Sequence, residues 1–225
     1  MEKIILANWK AHLSGQHVDQ WLTTFIDGFH ATEALEVALA PPFLYMERVL
    51  SRLQGVKGIS LAAQGVSPYP PGNYTGATPA RWLEDMVQYA LVGHRERKKY
   101  FHENVTEIAA QIRECVAVGI RPILCLDGKG VAEMKAALDT DELQAISVAY
   151  TPDSAVALES APELSSIEKE VARLSEYFPG CPILYGGGVS VDNGADILAL
   201  SGVSGLLVGR NCLDAVQFGQ LVRSL

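Results

Sequence analysis

Three stretches of this chain carry residues whose types and spacing could do chemistry. Asn8-Trp9-Lys10 follows the apolar run Ile4–Ala7, and Gly93-His94-Arg95-Glu96-Arg97 closes another that begins at Tyr89. A lysine delivered by a buried strand is costly to desolvate without an anionic partner. Lys10 therefore points to a phosphate or carboxylate ligand, or else to a paired glutamate. His94 opens a short helical turn, where the helix dipole disfavours imidazolium and favours the neutral ring. A neutral imidazole there can hydrogen-bond a substrate oxygen, or simply cap the helix. The third stretch is double: Tyr185-Gly186-Gly187-Gly188-Val189 and, further on, Val208-Gly209-Arg210-Asn211. Glycines in two adjacent loops let backbone N–H groups approach a phosphate.

Such residues act together only if the fold brings them to one place. Short apolar runs alternate with segments of helical period from end to end. Ile4–Ala7, Val37–Ala40, Ile59–Ala63, Tyr89–Gly93, Ile120–Leu126, Ile146–Tyr150, Pro182–Gly186 and Val203–Val208 read as eight strands. Their near-continuous apolarity suits strands covered on both faces, as in parallel sheets. Val18, Trp21, Leu22, Phe25, Ile26 and Phe29 recur on one helical face, and Val105, Ile108, Ala109, Ile112, Cys115 and Val116 repeat the pattern. Ile167, Val171, Leu174 and Phe178 mark a later helix, with two more over 191–200 and 214–225. Eight strands, each followed by a helical segment, predict an α/β fold: a (β/α)₈ barrel in one domain over residues 1–225. A doubly wound open sheet would carry a glycine-rich fingerprint after its first strand, where this chain has Asn8-Trp9-Lys10. In a barrel the active site lies at the C-terminal strand ends, and all three stretches fall there.

Composition narrows the function classes. Eighteen Lys and Arg against 26 Asp and Glu give a formal charge of −8 over 225 residues. That balance argues against a nucleic-acid binder, which needs a basic face, but allows a locally positive site for a small anion. The four cysteines (Cys115, Cys125, Cys181, Cys212) lack metal or redox spacing and read as reduced core thiols. The five histidines form no HxH or HxxxH pair, so no metal is expected. No apolar run reaches the ~18 residues of a membrane span, and no signal-peptide pattern opens the chain, so no membrane association and a cytoplasmic location are expected. Asp127-Gly128-Lys129-Gly130 reads as a turn.

Together, Asn8-x-Lys10, Val92-Gly93-His94-x-Glu96-Arg97, Tyr185-Gly186-Gly187 and Leu207-Val208-Gly209 resemble the triosephosphate isomerase family. Ala40-Pro41-Pro42-Phe43, Ala63-Gln64-x-Val66-Ser67 and Tyr74-Thr75-Gly76 match in the same order, so the resemblance spans essentially the whole chain. It implies interconversion of dihydroxyacetone phosphate and glyceraldehyde 3-phosphate through an enediolate, a step of glycolysis and gluconeogenesis, without metal or cofactor. It further implies that Asn8 and Lys10 bind substrate, that neutral His94 is the electrophile, and that Glu96 supports Lys10. The backbones of Gly186, Gly187, Gly209 and Arg210 would hold phosphate. Gln64–Gly76, with Tyr74 and Thr75, looks like the arm that docks into a neighbouring subunit, which implies at least a homodimer. The short Cys125–Ala149 interval leaves room for one small fifth helix, as in compact members, some of them tetrameric.

The chain departs from the family pattern at one decisive place. The family ends strand 6 in Ala-Tyr-Glu-Pro, whose glutamate is the catalytic base; this chain reads Ala149-Tyr150-Thr151-Pro152-Asp153. A threonine hydroxyl cannot take a carbon-bound proton near neutral pH without a base of its own. The lid that follows also differs, with Ser154 for the hinge tryptophan and Ala157 and Glu159 for phosphate-gripping glycines. Gly188 replaces a phosphate-binding serine, Cys125-Leu126-Asp127-Gly128 replaces Cys-x-Gly-Glu, and Arg95 replaces a serine. Three functions follow as expectations: a family member with lost or strongly reduced isomerase activity, an active isomerase with Asp153 or Glu159 as replacement base, or a binder or isomerase of another small phosphorylated metabolite.

Overall fold

A computed structural model describes residues 3–153 and 161–225. Eight parallel strands close into a barrel in sequence order: β1 (Lys3–Asn8), β2 (Leu35–Ala40), β3 (Ile59–Ala63), β4 (Tyr89–Val92), β5 (Arg121–Leu126), β6 (Ser147–Tyr150), β7 (Ile183–Tyr185) and β8 (Val203–Val208). The seam is β1 against β8, with Ile4 opposite Gly205 and Ala7 opposite Val208. The α/β barrel expected from the alternation of runs is therefore the observed fold.

Alternation along each strand decides what reaches the mouth. Ile4, Leu6, Ala38, Ala40, Tyr89, Leu91, Ile123, Cys125, Ala149, Leu184 and Leu207 fill the barrel interior. The residues between them (Ile5, Ala7, Val37, Leu39, Val148 and Leu206 among others) face the helices in a second, outer core. With a side-chain period of two, Asn8 continues the inward row of β1, Thr151 that of β6, Gly186 that of β7 and Gly209 that of β8. Four sequence-predicted site positions thus converge on one end of the barrel by parity alone.

The outer helices form where the apolar stripes lie. Helix Gln16–Asp27 buries Val18, Trp21, Leu22 and Phe25, and Trp21 packs edge-on to Trp9 with ring centroids 4.7 Å apart. Phe25 meets Phe218 of the C-terminal helix Ala215–Ser224 at 5.2 Å. Helix Val105–Val116 starts at a reciprocal cap in which the Asn104 side chain accepts from Glu107 N–H and Glu107 accepts from Asn104 N–H. Helix Leu164–Tyr177 buries Ile167, Val171 and Leu174. Cys115, Cys125 and Cys212 are buried free thiols and Cys181 is half-buried. Lys129 N–H donates to the Asp127 carboxylate at 2.9 Å, so the expected turn is an Asx turn.

Two expectations need correction. The interval between β3 and β4 holds no α-helix, only a 3₁₀ turn at Ala80–Trp82. The Gly- and Pro-rich run 65–79 cannot keep a helical hydrogen-bond ladder. The fifth connection holds two short helices, Val131–Ala136 and Thr140–Ala145, instead of one. Asp139 starts the second through a cap shared with Glu142, which breaks the run. No helix among the described residues is long and apolar enough to cross a membrane.

Candidate functional site

Lys10 sits just past β1 with φ at +51°, in the left-handed region. A non-glycine residue there is strained unless its neighbours hold it, and two side chains do. The Asn8 side-chain oxygen accepts from Lys10 N–H at 3.0 Å. Gln64 Nε2 donates to the Lys10 carbonyl at 2.7 Å and to the Ala40 carbonyl at 2.9 Å. Gln64, read from sequence as part of the oligomer arm, turns its side chain inward and ties the ends of β1 and β2 together. Nothing in its spacing distinguished that task, because its partners are backbone carbonyls distant in sequence. The Lys10 ammonium donates to Glu96 Oε1 at 2.8 Å.

His94 caps helix Arg95–Phe101, its Nδ1 accepting from Glu96 N–H at 3.3 Å. The residue is 8% exposed. Burial, reinforced by the Lys10, Arg95 and Lys98 charges and opposed by Glu96, lowers its pKa to about 4. The neutral ring expected from the helix terminus is therefore present, but burial is its chief cause. Since Nδ1 accepts, the proton of the neutral ring sits on Nε2. Burial alone would raise the Glu96 carboxyl, yet the Lys10 hydrogen bond with the Lys10 and Arg95 charges holds it below its usual value. Both reserved readings of these residues hold at once: His94 caps a helix and Lys10 pairs with a glutamate.

A helix this short needs bracing. Arg97 donates to Glu103 Oε1 through Nε at 2.8 Å and Nη2 at 2.7 Å, and Gln111 Nε2 adds a third donor at 2.9 Å. These bonds fasten the helix bearing Glu96 to helix Val105–Val116.

Between His94, Lys10 and the two glycine loops lies a cavity of about 170 Å³, lined also by Thr151, Val189, Leu207, Arg210 and Asn211. That is the room of roughly six water molecules in the liquid, the scale of a three-carbon compound with a phosphoryl group. Gly187 and Gly188 N–H groups have no backbone partner among the described residues. Gly186 does not share that freedom: its N–H donates to the Tyr150 carbonyl at 2.8 Å. Its place in the site is steric, since a Cβ there would stand 3.0 Å from Leu207 Cβ and 3.1 Å from Thr151 Cγ2. Gly209 lies against Lys10, with Nζ 3.9 Å from where its Cβ would be. Asn211, which sequence reasoning left without a role, donates to the Val189 carbonyl at 2.6 Å and locks the two loops to each other.

Thr151, just past β6, lines the same cavity and is buried. Its hydroxyl donates to the Leu126 carbonyl at 3.3 Å. Among the described residues no aspartate or glutamate lines the cavity. Asp153, a candidate replacement base, pairs with Arg95 Nε at 3.0 Å and is not part of the lining. Glu159, the other candidate, lies outside the described residues, as do Ser154 and Ala157.

The profile of the family named triosephosphate isomerase matches residues 3–225. The chain belongs to the triosephosphate isomerase family. Among relatives bearing that name, one from Francisella tularensis subsp. mediasiatica (strain FSC147) is 28% identical, covering 99% of this chain and 96% of its own length. Another, from Coxiella burnetii (strain Dugway 5J108-111), is 30% identical over 96% of this chain and 94% of its own length. Family membership therefore extends to the whole barrel.

The His94 geometry predicts a pH effect with a definite sign. Between 6.5 and about 4 the unfolded chain binds a proton at this residue that the folded chain refuses. Stability should accordingly fall as pH drops through that window, by up to about 1.4 kcal/mol per pH unit from this group. His94→Gln should flatten the slope by one proton in urea unfolding followed across pH. An unchanged slope would show that His94 titrates normally in the folded protein.

Proposed function

We propose that this chain binds a small phosphorylated compound at the barrel mouth and interconverts dihydroxyacetone phosphate and glyceraldehyde 3-phosphate far more slowly than a family member with a complete site. The observation that carries the reading is Thr151, buried in the cavity wall where the family's base stands, with no carboxylate among the described lining residues. Lys10, His94 and the glycine loops keep the electrophilic and anion-binding half of the site. The half that removes a proton from carbon is missing, and a positioned base is worth about 10²–10⁴-fold. Arg95 engages Asp153, which disfavours that residue as a substitute.

A coupled isomerisation assay tests the reading, with His94→Gln as the reference for a disabled site. Turnover barely above that of His94→Gln is expected. Turnover at the level of a complete family enzyme, lost in His94→Gln, would overturn it and direct the search for a base to the segment after Asp153.

The same reading includes assembly as a homodimer. Tyr69 and Tyr74 of the arm stack with ring centroids 4.5 Å apart while both remain exposed. Trp82 and Phe101 are 62% and 64% exposed. A second cavity, of about 620 Å³, runs from Tyr74 and Thr75 to Lys10, Glu96 and Phe101, and a partner's arm seated there would back the lysine. Tyr74→Arg should shift the protein toward monomers in sedimentation velocity. A monomeric starting protein would remove this part of the proposal.

A further inference from the structure

The opposite end of the barrel holds a cavity that the isomerisation does not use. It has a volume of about 520 Å³ and lies between helix Gln16–Asp27, helix Ala215–Ser224 and the first residues of β1 and β2. The length of β1 sets it roughly 20 Å from Lys10, at about 3.3 Å per residue. Its floor is apolar, with Phe25, Leu198 and Val222 all buried. Its titratable side chains are Lys3, His30 and Arg223, and no aspartate or glutamate side chain lines it. On a chain of net charge −8 that is a local excess of positive charge.

Each cation has one structural task and donors to spare. Lys3 Nζ donates to the Leu198 carbonyl at 2.7 Å, in the last turn of helix Gly194–Ala199. Arg223 Nη1 donates to the Gly28 carbonyl at 3.1 Å, at the end of helix Gln16–Asp27. Cations suit helix C-termini, yet two ammonium and four guanidinium N–H bonds remain. Neither residue pairs with a carboxylate among the described residues. The fold also makes room for the guanidinium. A Cβ at Gly28 would stand 3.3 Å from Arg223 Nη1, and one at Gly219 3.2 Å from the same atom. Gly219 sits inside a helix, where glycine is unfavourable, and this seat is what its missing side chain provides.

We propose that this cavity binds a small carboxylate carrying an apolar chain, with the head group at Arg223 and Lys3 and the chain on the Phe25, Leu198 and Val222 floor. A planar guanidinium edge matches the two oxygens of a carboxylate. The volume equals that of roughly seventeen water molecules in the liquid, ample for a chain of about eight carbons.

Isothermal titration with octanoate, acetate and 1-octanol tests the site. Octanoate should bind about tenfold or more tighter than acetate, through the chain it buries, and about tenfold or more tighter than 1-octanol, through its head group. Glutamine keeps a donor for each helix carbonyl while removing the charge. Lys3→Gln and Arg223→Gln should therefore each weaken octanoate several-fold in a folded protein, and the double variant should bring it to the level of 1-octanol. Ala34→Trp sets a large ring into the lining from an exposed position, and should cost octanoate about tenfold with both cations intact. Equal affinity for octanoate and 1-octanol would overturn the selection of an anion, and equal affinity for octanoate and acetate the role of the apolar floor. Octanoate binding that the double variant and Ala34→Trp leave intact would place the ligand elsewhere, and no binding of octanoate at millimolar concentration would remove the site.

Discussion

Thr151→Glu is expected to raise kcat/KM for glyceraldehyde 3-phosphate by about 10²–10⁴-fold. Position 151 continues the inward row of β6 through Ala149, so a glutamate there must project into the cavity that Lys10 and His94 share. Those two residues are already placed. Lys10 is fixed by Asn8, Gln64 and Glu96, and His94 is held neutral with its Nε2 proton free to polarise a carbonyl. On the function proposed above, adding the base restores removal of a proton from carbon. The altered residues after Asp153 leave the gain toward the lower end, because water exclusion by a closing segment is a separate contribution. The coupled assay reads the result directly, and His94→Gln in the Thr151→Glu background should abolish the gain. A folded Thr151→Glu protein with unchanged turnover would show that something other than the missing carboxylate limits the reaction.

Gly205→Ala should cost about 3 kcal/mol or more of stability. Gly205 lies in β8 opposite Ile4 at the seam where the barrel closes. A Cβ on it would stand 2.2 Å from the Ile4 carbonyl oxygen and 3.1 Å from Leu184 Cγ. The first of these is backbone, which no rotamer change relieves, so the added methyl must push β1 from β8. In thermal unfolding the loss should appear as a fall of roughly 6–12 °C in Tm for a chain of this size. The damage would reach function, because β1 carries Lys10 and β8 carries Gly209 to the same cavity. A loss within about 0.5 kcal/mol, the range of neutral surface changes, would mean that the seam opens without cost and that this closeness is incidental.

Both expectations rest on features of different legibility. The barrel was readable because each strand is buried on both faces and each long helix on one, and these burial patterns are local in sequence. Ile4–Ala7 and Val203–Val208 announce themselves as strands without reference to each other, as Val105–Val116 does as a helix. Where local signals compete, the boundaries shifted: the run after β3 has no helical period to find, and the Asp139 cap splits the fifth connection into two helices. The short strand–helix punctuation also located Asn8, Lys10, His94, Thr151 and the glycine loops at strand ends, and hence at one mouth. The proposed loss of the base rests on sequence alone, since Ala149, Tyr150 and Pro152 hold the family's register around Thr151.

What tertiary structure decided was which partner each of those residues takes. That Gln64 clasps Lys10 across 54 positions, that Asn211 joins one glycine loop to the other, and that Arg95 occupies Asp153 are contacts between residues distant in the chain. Their strength depends on distances of about 3 Å, which no residue spacing encodes. The same holds for His94, whose neutrality follows mainly from burial by the closed barrel. It holds for Gly186, whose N–H belongs to Tyr150 rather than to a ligand. Sequence alone determined the barrel and the kinds of group at its mouth, because periodicity and strand ends are properties of short segments. Charge state, donor direction and pairing arise only when eight segments meet, because desolvation and hydrogen bonding depend on neighbours that folding supplies.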